Sequence, residues 1–422
     1  MTELTAILPA TPAAEPQTLP LKRRLARAER VRKLKYGALI LPLALFLLLS
    51  FVWPIAALLK RSIDNPEVLG ALPATSAALN RWDGKALPDD AVFAALAADF
   101  AAAKGTPALA AAASRLNMEQ PGFRSLVLRS ARNMPPEAGQ SAREALVAAD
   151  ARWGELASWQ LIARNASPYT ARHLLAALDR EYDENGRIVH VGDDQAVYVN
   201  VMLRTFGMSF VVTVICLLAG FPLAYLMATL PARQANLLLI FVLLPFWTST
   251  LVRVAAWIVL LQTEGLVNQA LRGLGLIDHP LQLAFNSTGV YIAMVHILLP
   301  FMILPLYSVM KGISPTYMRA ALSLGCPPFR SFWRVYFPQA LPGVTAGCLL
   351  VFIICMGYYI TPALLGSPSE QMASYFVAFY TNQTINWGMA AALSAILFAA
   401  TLLLYMVYAR LAGSQGMAAR AR

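Results

Sequence analysis

Six stretches of about 20 residues that are almost free of charged side chains constrain this chain more than any other feature of its sequence. They are 36–59, 202–228, 237–261, 288–310, 343–365 and 388–411. A helix rises about 1.5 Å per residue, so roughly 20 residues cross the hydrocarbon layer of a bilayer. The chain is 58% hydrophobic and 14% charged, which is too apolar for an ordinary soluble protein. The sequence therefore predicts an all-α polytopic membrane protein with six transmembrane helices, whose first helix is no cleavable signal peptide.

The placement of basic residues predicts which side of the membrane each loop faces. The segment 1–35 ends in LKRRLARAERVRKLK, which has eight Lys/Arg and one Glu directly before the first span. A nucleic-acid-binding tail is the competing interpretation of such a run. Short basic flanks stay in the cytoplasm, whereas long domains cross regardless of charge. The N-terminus is therefore expected in the cytoplasm, the insert 60–200 outside, and both the loop 311–342 and the C-terminus inside.

The charge of each part of the chain agrees with this topology. Residues 61–200 hold 14 Lys/Arg and 17 Asp/Glu, while the remainder holds 20 Lys/Arg and 6 Asp/Glu. The insert is rich in alanine and predicts a mostly helical domain, with one helix that begins after Asp89 and ends at Gly105. Further helices are expected in EALVAADARWGELASWQLIARN and PYTARHLLAALDREYDENG, and one β-hairpin in RIVHVGDDQAVYV.

The loop 311–342 is polar, is interrupted by proline and carries four basic residues and no acidic one. A short helix is expected before Gly325, which permits a left-handed turn, and a second helix after it. The second helix would align four aromatic side chains on one face, at Phe329, Phe332, Trp333 and Tyr336. Pro338 and Pro342 are expected to end it before the fifth span. Such a helix-turn-helix suits docking into a groove of a soluble partner, and rest on the lipid interface is the alternative.

The loop sequence RAALSLGCPPFRSFWRVYFP closely resembles the EAA loop of binding-protein-dependent ABC importer permeases. Ala320, Ala321, Gly325 and Pro338 match the motif. The stretches LLPFWTSTLVR, EGLVNQALRGLGLI, ILLPFMILPLYS and NWGMAAALS are similar to permeases of the spermidine/putrescine type. The resemblance is strong over 202–412 and weak over the first span.

This resemblance implies a type I ABC importer permease fold, with a core at 201–412, in the bacterial inner membrane. It implies a second permease subunit, two ATPase subunits that bind ATP and Mg²⁺, and a periplasmic solute-binding protein. The chain itself would be no enzyme and would carry no catalytic residue and no cofactor. The residues implied to contact the ATPase are Arg319, Ala320, Ala321, Gly325, Pro327, Arg330 and Arg334. Two departures from the family stand out: Arg319 occupies the position of the motif glutamate, and the insert exceeds what is expected of this subfamily.

Five residues in or near the spans are candidates for the substrate path: Trp247, Arg253, Glu264, Tyr358 and Tyr359. Trp247 lies about 15 Å into the third span if that span is a regular helix. A charge such as Arg253 inside a membrane is functional by default, and snorkelling to the interface is the alternative. The tyrosines can bind an ammonium group through their rings or simply pack. Glu264 at the outer mouth can attract a cation or cap a helix.

Polyamines or related small nitrogenous solutes are the expected cargo by resemblance. An inward Arg253 would instead suit a carboxylate-bearing solute, so opines and amino acids stay open. The four cysteines (Cys216, Cys326, Cys348 and Cys355) lie in spans or in the loop and imply no disulfide framework, and the histidines have no metal-ligand spacing. A G-x-x-x-x-G-K-[ST] loop is lacking, so ATP hydrolysis by that route is not expected.

Two other classes of membrane protein compete with the importer permease. A sensor would have a cytoplasmic signalling domain after its last span, where about eleven residues follow. A secondary, ion-coupled transporter would have inverted repeats and carboxylates within its spans. The sequence has neither feature, and the secondary transporter is kept as the alternative.

Overall fold

The computed structural model describes residues 21–136, 139–183 and 186–420, with side chains described from residue 29 to residue 410. Residues 1–20 of the predicted cytoplasmic segment lie outside this part of the chain. Residues up to Leu58 and from Leu59 onward form two compact units. The first unit is helical, and its helix Leu21–Leu47 continues through a π turn at Leu48–Val52 into Trp53–Arg61. Pro54 lacks a backbone N–H and so cannot donate an intrahelical hydrogen bond, and the π turn ends shortly before it.

In the part of the chain that the structure describes, six helices are long and apolar enough to cross a membrane, and this confirms the predicted fold class. They are Glu29–Arg61, Tyr198–Thr229, Thr250–Gly273, Ser287–Lys311, Pro328–Met356 and Trp387–Arg410, and we call them spans 1 to 6. The last helix continues to Arg420. Ala232–Trp247 is a shorter apolar helix that precedes span 3.

The third apolar segment is not the single helix expected over 237–261. It divides into Ala232–Leu243, a 3₁₀ turn at Leu244–Trp247, Thr250–Leu261 and Leu266–Gly273. Pro245 cannot continue the hydrogen-bond ladder, and the Ser249 hydroxyl then accepts from the Val252 N–H at 3.3 Å to start a new helix. The depth of Trp247 in the membrane therefore cannot be calculated from the constant rise of a single helix.

Span 5 also differs from the predicted range 343–365. Its helix begins at Pro328, passes through a π turn at Phe332–Tyr336 and ends at Met356, and Ile360–Leu365 is a separate helix. The expectation that Pro338 and Pro342 end the loop helix is wrong. Pro338 lies in the first turn after the π turn, where proline is tolerated, so the helix continues without a joint from the loop into the membrane.

The insert is mostly helical. Its helices are Pro66–Ala71, Pro73–Leu79, Asp90–Ala103, Pro107–Asn117, Phe123–Arg132, Ala142–Ala149, Leu156–Asn165 and Arg172–Ala176, with a 3₁₀ turn at Ala151–Gly154. Its core surrounds two tryptophans, Trp153 and Trp159, whose ring centroids lie 5.5 Å apart. Each indole N–H has a partner, Ser130 Oγ at 2.7 Å and the Trp153 carbonyl at 2.9 Å, so neither buried donor is wasted.

Three elements of the insert were predicted wrongly. The stretch EALVAADARWGELASWQLIARN forms two helices and a 3₁₀ turn, not one helix. The helix expected to run to Asn185 stops at Ala176. The hairpin expected within RIVHVGDDQAVYV has only one strand there, Ile188–His190, which pairs antiparallel with Arg180–Tyr182. Asp179 has a left-handed backbone with φ of +54°, which a helix cannot continue through. Its buried carboxylate accepts the backbone N–H groups of Val197, Tyr198 and Val199 at 2.7–3.1 Å. This carboxylate caps the start of span 2, and its negative charge interacts favourably with the positive end of the helix dipole.

Spans 2, 4 and 5 form the membrane core of the second unit. Their buried side chains include Val212, Met294, Met302, Leu306 and Val351. Glycine permits the close approach of spans 4 and 5, since a Cβ at Gly347 would lie 2.8 Å from Met302 Sδ and 3.2 Å from the Met302 carbonyl. Small residues at such contacts are typical of helix packing in membranes.

The insert rests on the start of span 6. His173 is only 9% exposed, and a Cβ at Gly388 would lie 2.4 Å from its Nε2 atom. Arg115 and Arg172 both contact Glu119 Oε1, at 3.0 and 2.9 Å. Burial first, and then the neighbouring guanidinium charges, lowers the pKa of His173 to about 4, so this imidazole is neutral at physiological pH.

Candidate functional site

The loop 311–342 folds as a helix, a glycine turn and a second helix, as the sequence predicts. Ser314 caps the first helix, Pro315–Ser323. Gly325 has φ of +81°, a left-handed conformation that strains any residue with a side chain. The second helix begins at Pro328. The chain thus reverses sharply at Leu324–Pro327 and presents a short tip.

The outer face of this tip is apolar and basic. Leu324 is 87% exposed and Phe329 is 75% exposed. The basic residues Arg319, Arg330 and Arg334 are also exposed, as are Ala320, Gly325 and Pro327, while Ala321 is half-buried. Large apolar side chains that stand this far out of a fold are typical of a surface that another protein covers.

The inner face of the loop is a cluster of aromatic rings on span 2. Tyr336, which is 7% exposed, packs perpendicular to Tyr225 with ring centroids 5.1 Å apart. Phe332 stacks on Tyr336 at 5.6 Å and meets Phe221 edge-on at 6.1 Å. The rings of Phe221 and Tyr225 come from the GFPLAY stretch of span 2, so that stretch forms the seat of the loop.

The four predicted aromatic side chains contact one another but differ in burial. Phe332 and Tyr336 pack toward span 2, whereas Phe329 is exposed and Trp333 is 49% exposed. The Trp333 ring joins the two groups, with its centroid 6.3 Å from that of Phe329 and 5.4 Å from that of Phe332. The buried end of this aromatic row holds the loop to span 2, and the end at Phe329 is left free.

The substrate-path candidates lie on different elements. Trp247 is 77% exposed in the 3₁₀ turn before span 3, and Glu264 is exposed in the turn after Leu261. Tyr358 is half-buried against the apolar cluster of Val254, Leu261 and Ala293, whereas Tyr359 is exposed. Arg253 lies in the helix Thr250–Leu261, which also contributes Val254 and Leu261 to that cluster.

Sequence reasoning missed a polar pair next to Arg253. The Trp257 indole N–H donates to His296 Nδ1 at 3.2 Å, and the two rings meet edge-on with centroids 5.4 Å apart. His296 is exposed near the middle of span 4, Ser287–Lys311. A histidine inside an otherwise apolar span was the signal that could have identified it, because ionisable groups in membrane helices are rare and functional by default.

Among the residues that the structure describes, no three His, Cys, Asp or Glu side chains are grouped to hold a metal ion. The features that stand out are the loop tip and the polar groups of spans 3 and 4. A polytopic membrane protein whose loop between two spans has a packed inner side and an exposed apolar and basic tip fits the class of transport permeases.

Comparison with known proteins defines the family. Residues 220–414 match the family described as binding-protein-dependent transport system inner membrane component. The chain is 35% identical over 214 residues to the spermidine/putrescine transport system permease protein PotB of Escherichia coli strain K12, which covers 51% of this chain and 78% of that protein. It is 36% identical over 214 residues to PotB of Haemophilus influenzae, which covers 51% of this chain and 75% of that protein.

Among solved structures, the chain is similar to one protein chain in the crystal structure of a bacterial alginate ABC transporter. The TM-score is 0.41, and the identity is 16% over 51% of this chain and 77% of that chain.

The sequence relationship to the PotB proteins decides the assignment: this chain belongs to the family of inner-membrane permeases of binding-protein-dependent ABC importers. It is a multi-pass inner-membrane protein and not itself an enzyme.

Proposed function

We propose that this chain is one of two permease subunits of an ATP-driven importer that takes polyamines or related small nitrogenous solutes from a periplasmic binding protein into the cytoplasm. The printed names of the 35–36% identical relatives, spermidine/putrescine permeases, support the solute class. The second permease and two ATPase subunits complete the complex. Both termini and the loop 311–342 face the cytoplasm, as the eight basic residues before span 1 indicate.

The observation that carries the coupling role is the division of the loop into an inner and an outer face. The inner rings of Phe332 and Tyr336 fix the loop to span 2. The outer side chains of Leu324 and Phe329 are free to enter a cleft of an ATPase subunit. The helix from Pro328 to Met356 has no break, so a displacement of the tip by the closing ATPase dimer passes directly to span 5.

The positive charge of the tip indicates which residues the binding cleft of the ATPase needs. Arg319 stands where the family motif has glutamate, and Arg330 and Arg334 are exposed beside it. An ATPase cleft that binds this tip therefore needs acidic residues around an apolar centre. Exposed ion pairs are screened by salt, so the ionic part of this contact weakens as salt rises while the apolar part persists.

The test is purification of the tagged chain from native membranes under mild solubilisation, with identification of the co-purifying proteins by mass spectrometry. We expect an ATPase subunit and a second permease, and a partial loss of the ATPase at high salt. Recovery of the chain without an ATPase at every salt concentration would contradict the proposal and favour a secondary transporter.

A further inference from the structure

A polar group in the middle of span 4 has a fixed hydrogen-bonding direction. The Trp257 N–H donates to Nδ1 of His296 at 3.2 Å, so Nδ1 is an acceptor and the neutral ring carries its proton on Nε2. The exposed edge of His296 thus offers a hydrogen-bond donor. If Nε2 were the acceptor instead, the ring proton would lie on Nδ1. Nδ1 could then no longer accept the hydrogen bond from Trp257.

A second donor lies on the same side of the helix Thr250–Leu261. Arg253 is one turn before Trp257, so the two side chains lie next to each other on one face of this helix. Its Nη2 donates weakly to Thr250 Oγ1 at 3.3 Å. Its Nε finds no hydrogen-bond partner among the described residues. Arginine has five N–H donors and no acceptor, so this guanidinium keeps unused donors.

These side chains cannot face lipid at low cost. A charged or hydrogen-bonding group at the bilayer centre is expensive unless it faces protein or a water-filled cavity. The loops around this face supply no carboxylate to Arg253 within ion-pair distance in the part of the chain that the structure describes. Arg253, Trp257 and His296 therefore form a site with hydrogen-bond donors and a positive charge but no carboxylate to balance that charge.

We propose that Arg253, Trp257 and His296 form a donor wall of the translocation path that contacts an anionic acceptor, such as a carboxylate, on the solute. This inference rests on the proposed importer function and narrows its solute class. A polyamine carries only ammonium groups and would meet donors and positive charge at this wall. A nitrogenous solute that also bears a carboxylate satisfies the wall, with Arg253 binding the charge and His296 Nε2–H adding a neutral hydrogen bond.

The experiment measures the charge preference of the wall without requiring the solute. His296→Cys is introduced into the complete importer in membrane vesicles of both orientations. Its reaction rate is measured with an anionic reagent, sulfonatoethyl methanethiosulfonate, and with a cationic one, trimethylammonioethyl methanethiosulfonate. His279→Cys, at an exposed histidine of the loop between spans 3 and 4, gives the reference ratio of the two rates. The parent protein corrects for its four native cysteines.

We expect the anionic reagent to be favoured about tenfold or more at His296→Cys relative to the reference, because the Arg253 guanidinium lies one helical turn from Trp257, the hydrogen-bond partner of His296. Adding Arg253→Gln should return the ratio to the reference value. An equal or cation-favouring ratio would overturn the inference. So would labelling by membrane-permeant N-ethylmaleimide alone, or no labelling, since the position would then lie outside the water-filled path. Failure of the importer proposal itself would appear separately, as a purified chain without ATPase.

Discussion

At the scale of single residues, the contact of His173 with Gly388 joins the insert to span 6. We predict that Gly388→Ala lowers stability by about 1–3 kcal/mol, because the added Cβ would lie 2.4–2.8 Å from three atoms of the imidazole ring. The measurement is thermal unfolding of the purified protein in detergent. Gly207→Ala is the matched control, since a Cβ there meets nothing within 4 Å. His173→Ala should restore much of the loss, and no rescue would mean that the ring is not the obstacle.

The same histidine should make the insert sensitive to acid. Its pKa is about 4 in the fold and 6.5 in the unfolded chain. Between these values the unfolded state binds more protons, so stability rises with pH and is lost as the pH falls from about 6.5 to about 4. We predict a loss of up to about 3 kcal/mol over this window. Unfolding scans from pH 7 to pH 4 should show a clearly smaller slope for His173→Gln, and equal slopes would contradict the assignment.

The sequence identified the residues of the loop but did not predict which of them pack on span 2 and which are exposed. Gly325 could be predicted, because a turn that reverses the chain there needs a left-handed residue. His296 could not be paired with Trp257, since the two lie 39 residues apart and only the packing of span 3 on span 4 joins them. The capping role of Asp179 was equally hidden, because its acceptor geometry depends on where span 2 starts.

At the scale of elements, the two faces of the loop helix should be separable by mutation. We predict that Tyr336→Ala destabilises the protein by about 3–5 kcal/mol, since it leaves a cavity against Tyr225 and Phe332. Phe329→Ala should leave unfolding nearly unchanged, because its ring is exposed. It should instead weaken ATPase binding by tenfold or more, about the effect of truncating an interface anchor. Comparable effects of the two variants on unfolding would refute the division.

Hydrophobic patterning predicted the existence of the helices more reliably than the positions at which they break. The six apolar segments were identified because hydrophobic length is a strong signal. Proline was a poor guide to helix ends: Pro245 does interrupt the third segment, whereas Pro338 and Pro342 lie within the continuous helix of span 5. Pro245 lies in a 3₁₀ turn, whereas Pro338 follows a π turn and Pro342 lies inside an α-helix, so proline alone does not mark where a helix ends.

At the scale of the whole molecule, most of the insert can be removed without cutting into the packing of the spans. Thr170 donates its N–H to the Ile63 carbonyl at 2.7 Å, and Asn65 donates to the Pro168 carbonyl at 2.9 Å, so the two ends of the excursion already meet. Among the described residues, the buried clusters of the spans contain no side chain from 65–168. Residues 65–168 thus have a hydrophobic core of their own, distinct from the buried clusters of the spans.

We predict that replacing residues 65–168 with two glycines preserves assembly with the ATPase and reduces solute uptake about tenfold. The reason is that the insert contributes to docking of the binding protein and not to the membrane core. Co-purification and uptake by reconstituted vesicles are the two measurements. Unchanged uptake would exclude a docking role, and loss of the ATPase would show that the insert supports the core.

The central claim is that the tip of the loop 311–342 enters the ATPase from the cytoplasmic side. A photo-crosslinking amino acid placed at Leu324 tests it directly. The same group at Leu274 is the control, because Leu274 is 73% exposed. By the predicted topology, Leu274 lies in the loop between spans 3 and 4, on the external side of the membrane. We predict that illumination of native membranes joins position 324 to an ATPase subunit and position 274 to no ATPase. An ATPase adduct at position 274 and none at position 324 would contradict both the topology and the coupling role of the loop.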